Sequence, residues 1–337
     1  MITVAIVGSG FGLYGLLPAF RTIKQCNVVA ICGKKSERLL NYCKQVGLKN
    51  IYTDWKQMIN EMKPDVIAIA TSPDRQFEIA SYAIKKGIHV FAEKPLTNKL
   101  KTSILLEKLA AKYKVHTCID FIFPEVPEWK KCKELLESKK YGTTLNVNVS
   151  WNFYGYDLKN KINGWKTDPA RGGGVTSFYC SHVLHYLKWF IKDFDIVNAV
   201  SSTSPESLNK GETSVIFNFK KNKLTGSALV SCHAKGLNRH EIVFQCERGT
   251  LILENENSVA DNFQLWGTDK NFRLQKIKCS KLKGRTSEDE RVKYVKSIAS
   301  RFINAVAANK NMTPDFMDGV VVQKQITEIQ RHISGYE

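Results

Sequence analysis

The first 118 residues repeat one pattern: a short run rich in β-branched and apolar residues, then a stretch of helical periodicity. The runs are Thr3–Val7, Val28–Cys32, Val66–Ala70, Ile88–Phe91 and Val115–Cys118, with helical stretches near 13–24, 36–46, 54–62, 75–86 and 99–113. Ser36 ahead of Glu37, and Thr53-Asp54 ahead of Trp55, supply side chains suited to capping two of those helices. Strands that alternate with helices imply a parallel sheet covered by helices on both faces.

After Cys118 the texture changes. Pro124 and Pro127 precede a helix to about Ser138, and a turn at Gly142 leads to a strand from Leu145 to Trp151. A loop over 155–174 and a helix over 175–192 follow, then strand segments at 196–203, 213–219, 225–234, 240–247, 250–254 and 262–267. Strands in succession point to a mostly antiparallel sheet with helices on one face. Two helices, about 287–308 and 315–333, follow the strands. A chain of 337 residues exceeds one ordinary core. The expected organisation is an α/β domain over 1–120, then an α+β domain with a large open sheet over 121–337, whose terminal helices have the option of packing back on the first.

The glycine-rich turn Gly8-Ser9-Gly10-Phe11-Gly12 sits between the first strand and the first helix. There Gly8 permits a tight turn, and Gly10 lets backbone approach a pyrophosphate beside the helix's free N–H groups. The full G-x-G-x-x-G pattern ends on Leu13, with Gly12 and Gly15 available to relieve the same packing. This is the first turn of a Rossmann-type domain. The second strand runs into Gly33-Lys34-Lys35-Ser36-Glu37-Arg38, where an NAD-preferring site wants an acidic residue on the ribose diol. Gly33, Lys34, Lys35, Ser36 and Arg38 suit a 2′-phosphate instead, so NADP(H) is expected over NAD(H).

Composition narrows the setting. Hydrophobic content of 43% and charged content of 24% are those of a globular protein, and no run approaches the 18–20 apolar residues of a membrane span. Met1 leads into a strand without the features of a signal peptide, so a cytoplasmic protein with no membrane partner is expected. Nine cysteines lack the paired spacing of a zinc site, so no metal is expected, and a reducing compartment fits them. Fifty Lys and Arg against 32 Asp and Glu leave a charge of +18, a field that favours anionic partners. The pairs Lys34-Lys35, Lys85-Lys86, Lys130-Lys131 and Lys220-Lys221 are dispersed, which favours a solvated surface over a nucleic-acid role.

The glycine turn, Thr71-Ser72-Pro73 after the next strand, and Ala92-Glu93-Lys94-Pro95-Leu96 together resemble the Gfo/Idh/MocA family of oxidoreductases. Arg171-Gly172-Gly173-Gly174, Ser181-His182 and Pro314-Asp315-Phe316-Met317-Asp318-Gly319 extend that resemblance along the chain. The resemblance implies hydride transfer between a nicotinamide and a hydroxyl or keto carbon of a sugar, cyclitol or nucleotide-linked sugar. It implies Lys94 as the lysine that hydrogen-bonds the reacting hydroxyl, and His182 as the acid/base group. Gly8, Gly10, Phe11, Gly12, Thr71, Ser72, Pro73 and Glu93 would line the cofactor. It also implies a second-domain sheet that packs against another subunit, hence a homodimer or homotetramer.

The departures are specific. Phe178 stands where the family commonly has an acidic residue, His185 where Asp is usual, and Leu16 where a histidine follows the glycine turn. On a helix His182 and His185 share a face, so both could line a cleft, or one could be core and the other exposed. Trp165, with Trp151, Phe153, Tyr154 and Tyr156, could stack on a sugar ring or a nucleotide base or pack a core, and His185, Tyr179 or Asp168 could compensate for the missing acid. The rival reading is a dinucleotide-binding regulator or scaffold that has lost catalysis. The substrate side of the expectation is a carbohydrate-like small molecule, with phosphorylated and nucleotide-linked sugars included because the surface is basic.

Overall fold

The computed structural model describes residues 1–285 and 287–335. Two compact units emerge: Met1–Ile122 with Lys283–Val321, and Phe123–Leu282 with Val322–Glu337.

The first unit alternates β1 (Ile2–Val7), α1 (Leu17–Arg21), β2 (Cys26–Cys32), α2 (Glu37–Gln45), β3 (Ile51–Tyr52), α3 (Trp55–Met62), β4 (Val66–Ile69), α4 (Pro73–Lys85), β5 (His89–Ala92), α5 (Leu100–Tyr113) and β6 (Thr117–Ile119). All strand pairs are parallel, in the order β3-β2-β1-β4-β5-β6. The order reverses between β1 and β4, which creates the switch point where open α/β sheets take ligands at their carboxyl ends. Val66–Ile69 are buried throughout, as a strand covered on both faces must be. Ser36 Oγ accepts from Leu39 N at 3.2 Å and Asp54 Oδ1 from Lys56 N at 2.8 Å, so both expected caps form. The two-residue β3 is the strand the sequence pattern does not show.

The second unit contains α6 (Pro127–Glu137), β7 (Thr144–Asn152), α7 (Tyr156–Lys159), α8 (Cys180–Ile191), β8 (Asp195–Ser202), β9 (Ser214–Lys221), β10 (Leu224–Ser231), β11 (Arg239–Cys246), β12 (Gly249–Glu256), β13 (Gln264–Thr268) and β14 (Leu274–Ile277). Its sheet runs β14-β13-β12-β11-β7-β10-β9-β8, antiparallel except where β7 meets β10. Along β7, Val147, Val149 and Trp151 turn inward while Asn146, Asn148, Ser150 and Asn152 turn outward. The inner face closes on an aromatic core of Phe123, Trp129, Trp151, Tyr186, His240 and Phe263. The outer face carries a belt of amides and hydroxyls: Asn146 donates to Thr225 at 3.1 Å, Ser227 to Asn148 at 2.8 Å, and Asn218 to Asn198 at 2.8 Å.

Two helices follow, α9 (Val292–Ala307) and α10 (Phe316–Ser334). In the first unit α9 brings Phe302 to 5.9 Å from Phe91, which also meets Phe20 at 5.2 Å. The Pro314–Gly319 motif extends the β6 edge: Ile119 N donates to Pro314 O at 3.2 Å and Phe316 N to Thr117 Oγ1 at 3.2 Å. Asp315 and Asp318 then cap α10 reciprocally, each accepting from the other's amide, at 3.2 and 3.1 Å.

Candidate active site

Of the glycines Gly8, Gly10, Gly12, Gly15 and Gly33 around the switch point of the first unit, all but one are closely packed. Gly8 has φ +129°, and a Cβ there would lie 2.2 Å from Ala70 O. A Cβ on Gly12 would meet Ile6 Cγ2 at 3.2 Å, and one on Gly15 would meet the Phe11 ring at 2.4 Å. The close packing usually relieved by a third glycine is thus relieved at Gly12 and Gly15, which leaves position 13 to a buried leucine. Gly10 differs, since a Cβ there would meet nothing within 4 Å. Its surroundings are open, as the approach of a diphosphate to backbone requires. Gly33 closes against the same turn, with a Cβ position 2.6 Å from Ser9 Cβ. Thr71, Ser72 and Pro73 follow β4; Ser72 occupies the cap position of α4 and Pro73 opens the helix.

Past Gly33, the side chains of Lys34, Lys35, Ser36, Glu37 and Arg38 are exposed. Ser36 is committed through its acceptor to capping α2, while the Arg38 guanidinium lies 5.2 Å over the Tyr14 ring. Three cations and one carboxylate therefore stand at the start of α2.

Lys94 follows β5 on a loop anchored on several sides. Glu93 N donates to Ile69 O at 2.9 Å, so the loop leaves the sheet in register with β4. The Gln76 amide, 1% exposed, donates through Nε2 to Glu93 O at 2.7 Å, Leu96 O at 2.9 Å and Pro95 O at 3.2 Å. The Lys94-Pro95 bond is cis. Behind the loop, a Cβ on Gly319 would strike Leu96 and Ile119, at 2.9 and 2.4 Å, so the start of α10 closes against it. Lys94 itself is 9% exposed.

Charge around this loop is dense. The carboxyl groups of Glu93 and Asp120 act on each other, with Lys94 and Arg291 acting on both electrostatically. Burial, then the neighbouring Glu93 charge, holds Asp120 well above the usual carboxylate range; burial also raises Glu93. Arg291 is held by Asp289 through two bonds of 2.8 Å and lies 4.4 Å over the ring of Phe11. Gln76, Asp120 and Arg291 carry no motif in the sequence: a glutamine on a helix, an aspartate after a strand and an arginine near a helix start have many ordinary uses.

In the second unit the glycine run shapes the entry to α8. Gly172 and Gly174 take φ +88° and +81°, and a Cβ on Gly173 would lie 2.1 Å from Trp165 O. A π-helical turn, Val175–Tyr179, leads into α8, which carries His182 and His185, both buried. His182 sets its ring edge-on to Phe123 at 5.0 Å. Burial, with a smaller push from Lys188, lowers His185 to about 3, so this imidazole is neutral. Phe178, in place of an acid, packs with Trp165 at 5.1 Å and Tyr179 at 4.7 Å, and Tyr179 meets Phe153 at 4.7 Å. Trp165, Phe178 and Tyr179 are half-buried and form one aromatic wall with Phe153. His240, absent from any motif, stacks on Trp151 at 4.7 Å and meets Tyr186 Oη at 3.0 Å.

Residues 2–121 match the oxidoreductase family with an NAD-binding Rossmann fold, and residues 129–252 match the GFO/IDH/MocA C-terminal domain. An uncharacterized oxidoreductase, sll0816, of Synechocystis is 26% identical over 268 residues, 76% of this chain and 72% of that protein. The levoglucosan dehydrogenase of Pseudarthrobacter phenanthrenivorans is 24% identical over 221 residues, 60% of this chain and 54% of that one. A structure of levoglucosan dehydrogenase with NADH and levoglucosan superposes with a TM-score of 0.84 at 20% identity, covering 100% of this chain and 98% of that one. A 3-ketoreductase from Actinomadura kijaniata, in complex with TDP-benzene and NADP, gives 0.83 at 14% identity, covering 98% of each chain. These superpositions show the fold. With both family domains matched in sequence and in order, the chain belongs to the Gfo/Idh/MocA family of NAD(P)-binding oxidoreductases.

Proposed function

We propose that the protein moves a hydride between NADP(H) and a hydroxyl or keto carbon of a carbohydrate-like substrate. The observation that carries this reading is Lys94, fixed on an anchored loop at the carboxyl edge of β5 beside the switch point. The dinucleotide fits the residues present: open space at Gly10, close packing at Gly8 and Gly33, and Thr71, Ser72, Pro73 and Glu93 at neighbouring strand ends. When bound, the nicotinamide supplies or accepts the hydride. Lys94 would hydrogen-bond the reacting oxygen, and His182 would take or return its proton. The half-buried wall of Trp165, Phe178 and Tyr179 suits the apolar face of a sugar ring.

Lys34, Lys35, Ser36 and Arg38 favour the 2′-phosphate of NADP(H), since three cations outweigh Glu37. The outer sheet face, with its amide belt and exposed Val197, Val200 and Ile216, suits a second copy of the chain, as a homodimer or homotetramer. The nine free cysteines fit a reducing, cytoplasmic setting. Among the described residues no helix is long and apolar enough to cross a membrane.

Lys94→Ala tests the site. Turnover with NADP⁺, screened against levoglucosan, D-xylose and inositols, is expected to fall by at least about 10²-fold, the scale of a lost proton-transfer partner. NADPH affinity, read by nicotinamide fluorescence, should stay within a few fold. Undiminished turnover would remove Lys94 from the reaction. Dinucleotide binding by the wild type without turnover of any polyol would favour the regulator reading, for which Phe178 in place of an acid is the supporting feature.

A further inference from the structure

Strands β5 and β6 pair through Ala92 and Ile119, so the next two residues, Glu93 and Asp120, leave adjacent strand ends side by side. Asp120 N donates to Ala92 O at 2.9 Å, which continues the ladder one step and fixes the relative height of the two side chains. Asp120 is 2% exposed, and Glu93 Oε1 and Asp120 Oδ1 are enclosed without a hydrogen-bond partner. The two carboxyl groups act on each other across this buried spot. Two ionised carboxylates placed this way would repel each other and leave their enclosed oxygens unpartnered, whereas one shared proton lets one group donate to the other. We propose that Asp120 is a positioning residue for Lys94, sharing one proton with Glu93 and thereby setting the charge beneath the Lys94 loop.

With the proton in place the pair carries one negative charge. The charged groups acting on it are Lys94, from the same loop, and Arg291, from the segment before α9, itself tied to Asp289. One negative charge leaves the Lys94 ammonium partly balanced. Two would bind its proton more firmly and draw the loop toward the pair. Burial and mutual repulsion push loss of the shared proton to a pH above the usual carboxylate range. Oxidation of an alcohol requires a proton to leave the reacting oxygen, and the strength of the hydrogen bond that Lys94 gives that oxygen depends on this charge.

The role in catalysis rests on the proposed hydride transfer, but the shared proton does not, and the two are measured separately. Infrared difference spectra of the full chain, titrated without substrate, should show the carbonyl stretch of a protonated carboxyl group at pH 7. That band should be absent from Asp120→Asn and from Glu93→Gln. The kcat/KM profile with NADP⁺ and levoglucosan, D-xylose or an inositol should contain one ionisation that Asp120→Asn lacks. Because the amide of that variant can still donate to Glu93, its kcat at neutral pH should stay within about tenfold of wild type, whereas Asp120→Leu should fall further. A merely structural Asp120 would lower stability without changing the pH profile. A wild-type spectrum with both carboxyl groups ionised at pH 7, or an Asp120→Asn variant with an unchanged band and profile, would overturn the proposal. A carboxyl band that vanishes in Asp120→Asn, with no turnover by the wild type, would uphold the shared proton and refute the hydride-transfer reading instead.

Discussion

At the scale of single residues, the glycine turn separates two uses of the same residue type. Gly8 is required by backbone: its φ of +129° is costly for any side chain, and Ala70 O occupies the space a Cβ needs. Gly10 lies outside the left-handed region and has open space around it, so the fold does not require it. Gly8→Ala is therefore expected to lower the unfolding free energy by about 2 kcal/mol or more. Gly10→Ala should leave stability within about 0.5 kcal/mol. Its methyl group would nevertheless stand where a diphosphate approaches, so NADPH affinity should drop by at least about tenfold, equivalent to 1.4 kcal/mol. Urea denaturation and a fluorescence titration on both variants check the pair. An unstable Gly10→Ala, or one that binds NADPH as wild type does, would place the diphosphate elsewhere.

At the scale of elements, α4 and β5 work as one device. Gln76 reaches from the first turn of α4 to the carbonyl groups of Glu93, Pro95 and Leu96, and Nε2 has two hydrogens for three acceptors. Gln76→Leu keeps the volume but leaves those carbonyl groups without their donor, at about 1–3 kcal/mol. Thermal unfolding should register that loss, and kcat should fall while NADPH affinity is held, because the loop rather than the glycine turn is loosened. Wild-type kcat in a destabilised variant would show that α4 supports the fold and not the loop. The contrast between legible and hidden features has the same origin. Strands β1, β2, β4, β5 and β6, and the helices between them, were legible because burial on both faces writes continuous apolar runs into the chain. The short β3 and the exposed edge strand β14 bury too little to leave such a mark. Lys94 and His182 stood out through the motifs around them. Gln76, Asp120 and Arg291 did not, because each acts through a contact distant in sequence: Gln76 across about twenty residues, and Arg291 from beyond the whole second sheet.

At the scale of the whole molecule, the aromatic core of the second unit makes stability depend on pH. His185 and His240 are buried and neutral, each lowered by burial to about 3. Unfolding returns both to an ordinary value near 6.5, so below that pH the unfolded chain binds protons that the folded chain refuses. The stability they allow is complete above about pH 6.5 and is lost as the pH falls toward 3. Each histidine contributes up to about 1.4 kcal/mol per pH unit in that window. His240 is the cleaner probe, since its ring serves packing against Trp151 and a bond to Tyr186 rather than the proposed chemistry. His240→Gln keeps a polar partner for Tyr186 without a group that titrates. Its stability at pH 7 should fall through poorer stacking, but its decline between pH 6 and pH 4 should be shallower than wild type by about 1.4 kcal/mol per unit. Urea denaturation across that range measures both slopes. Equal slopes would mean that His240 gains its proton in the folded state, and that the core around Trp151 admits charge.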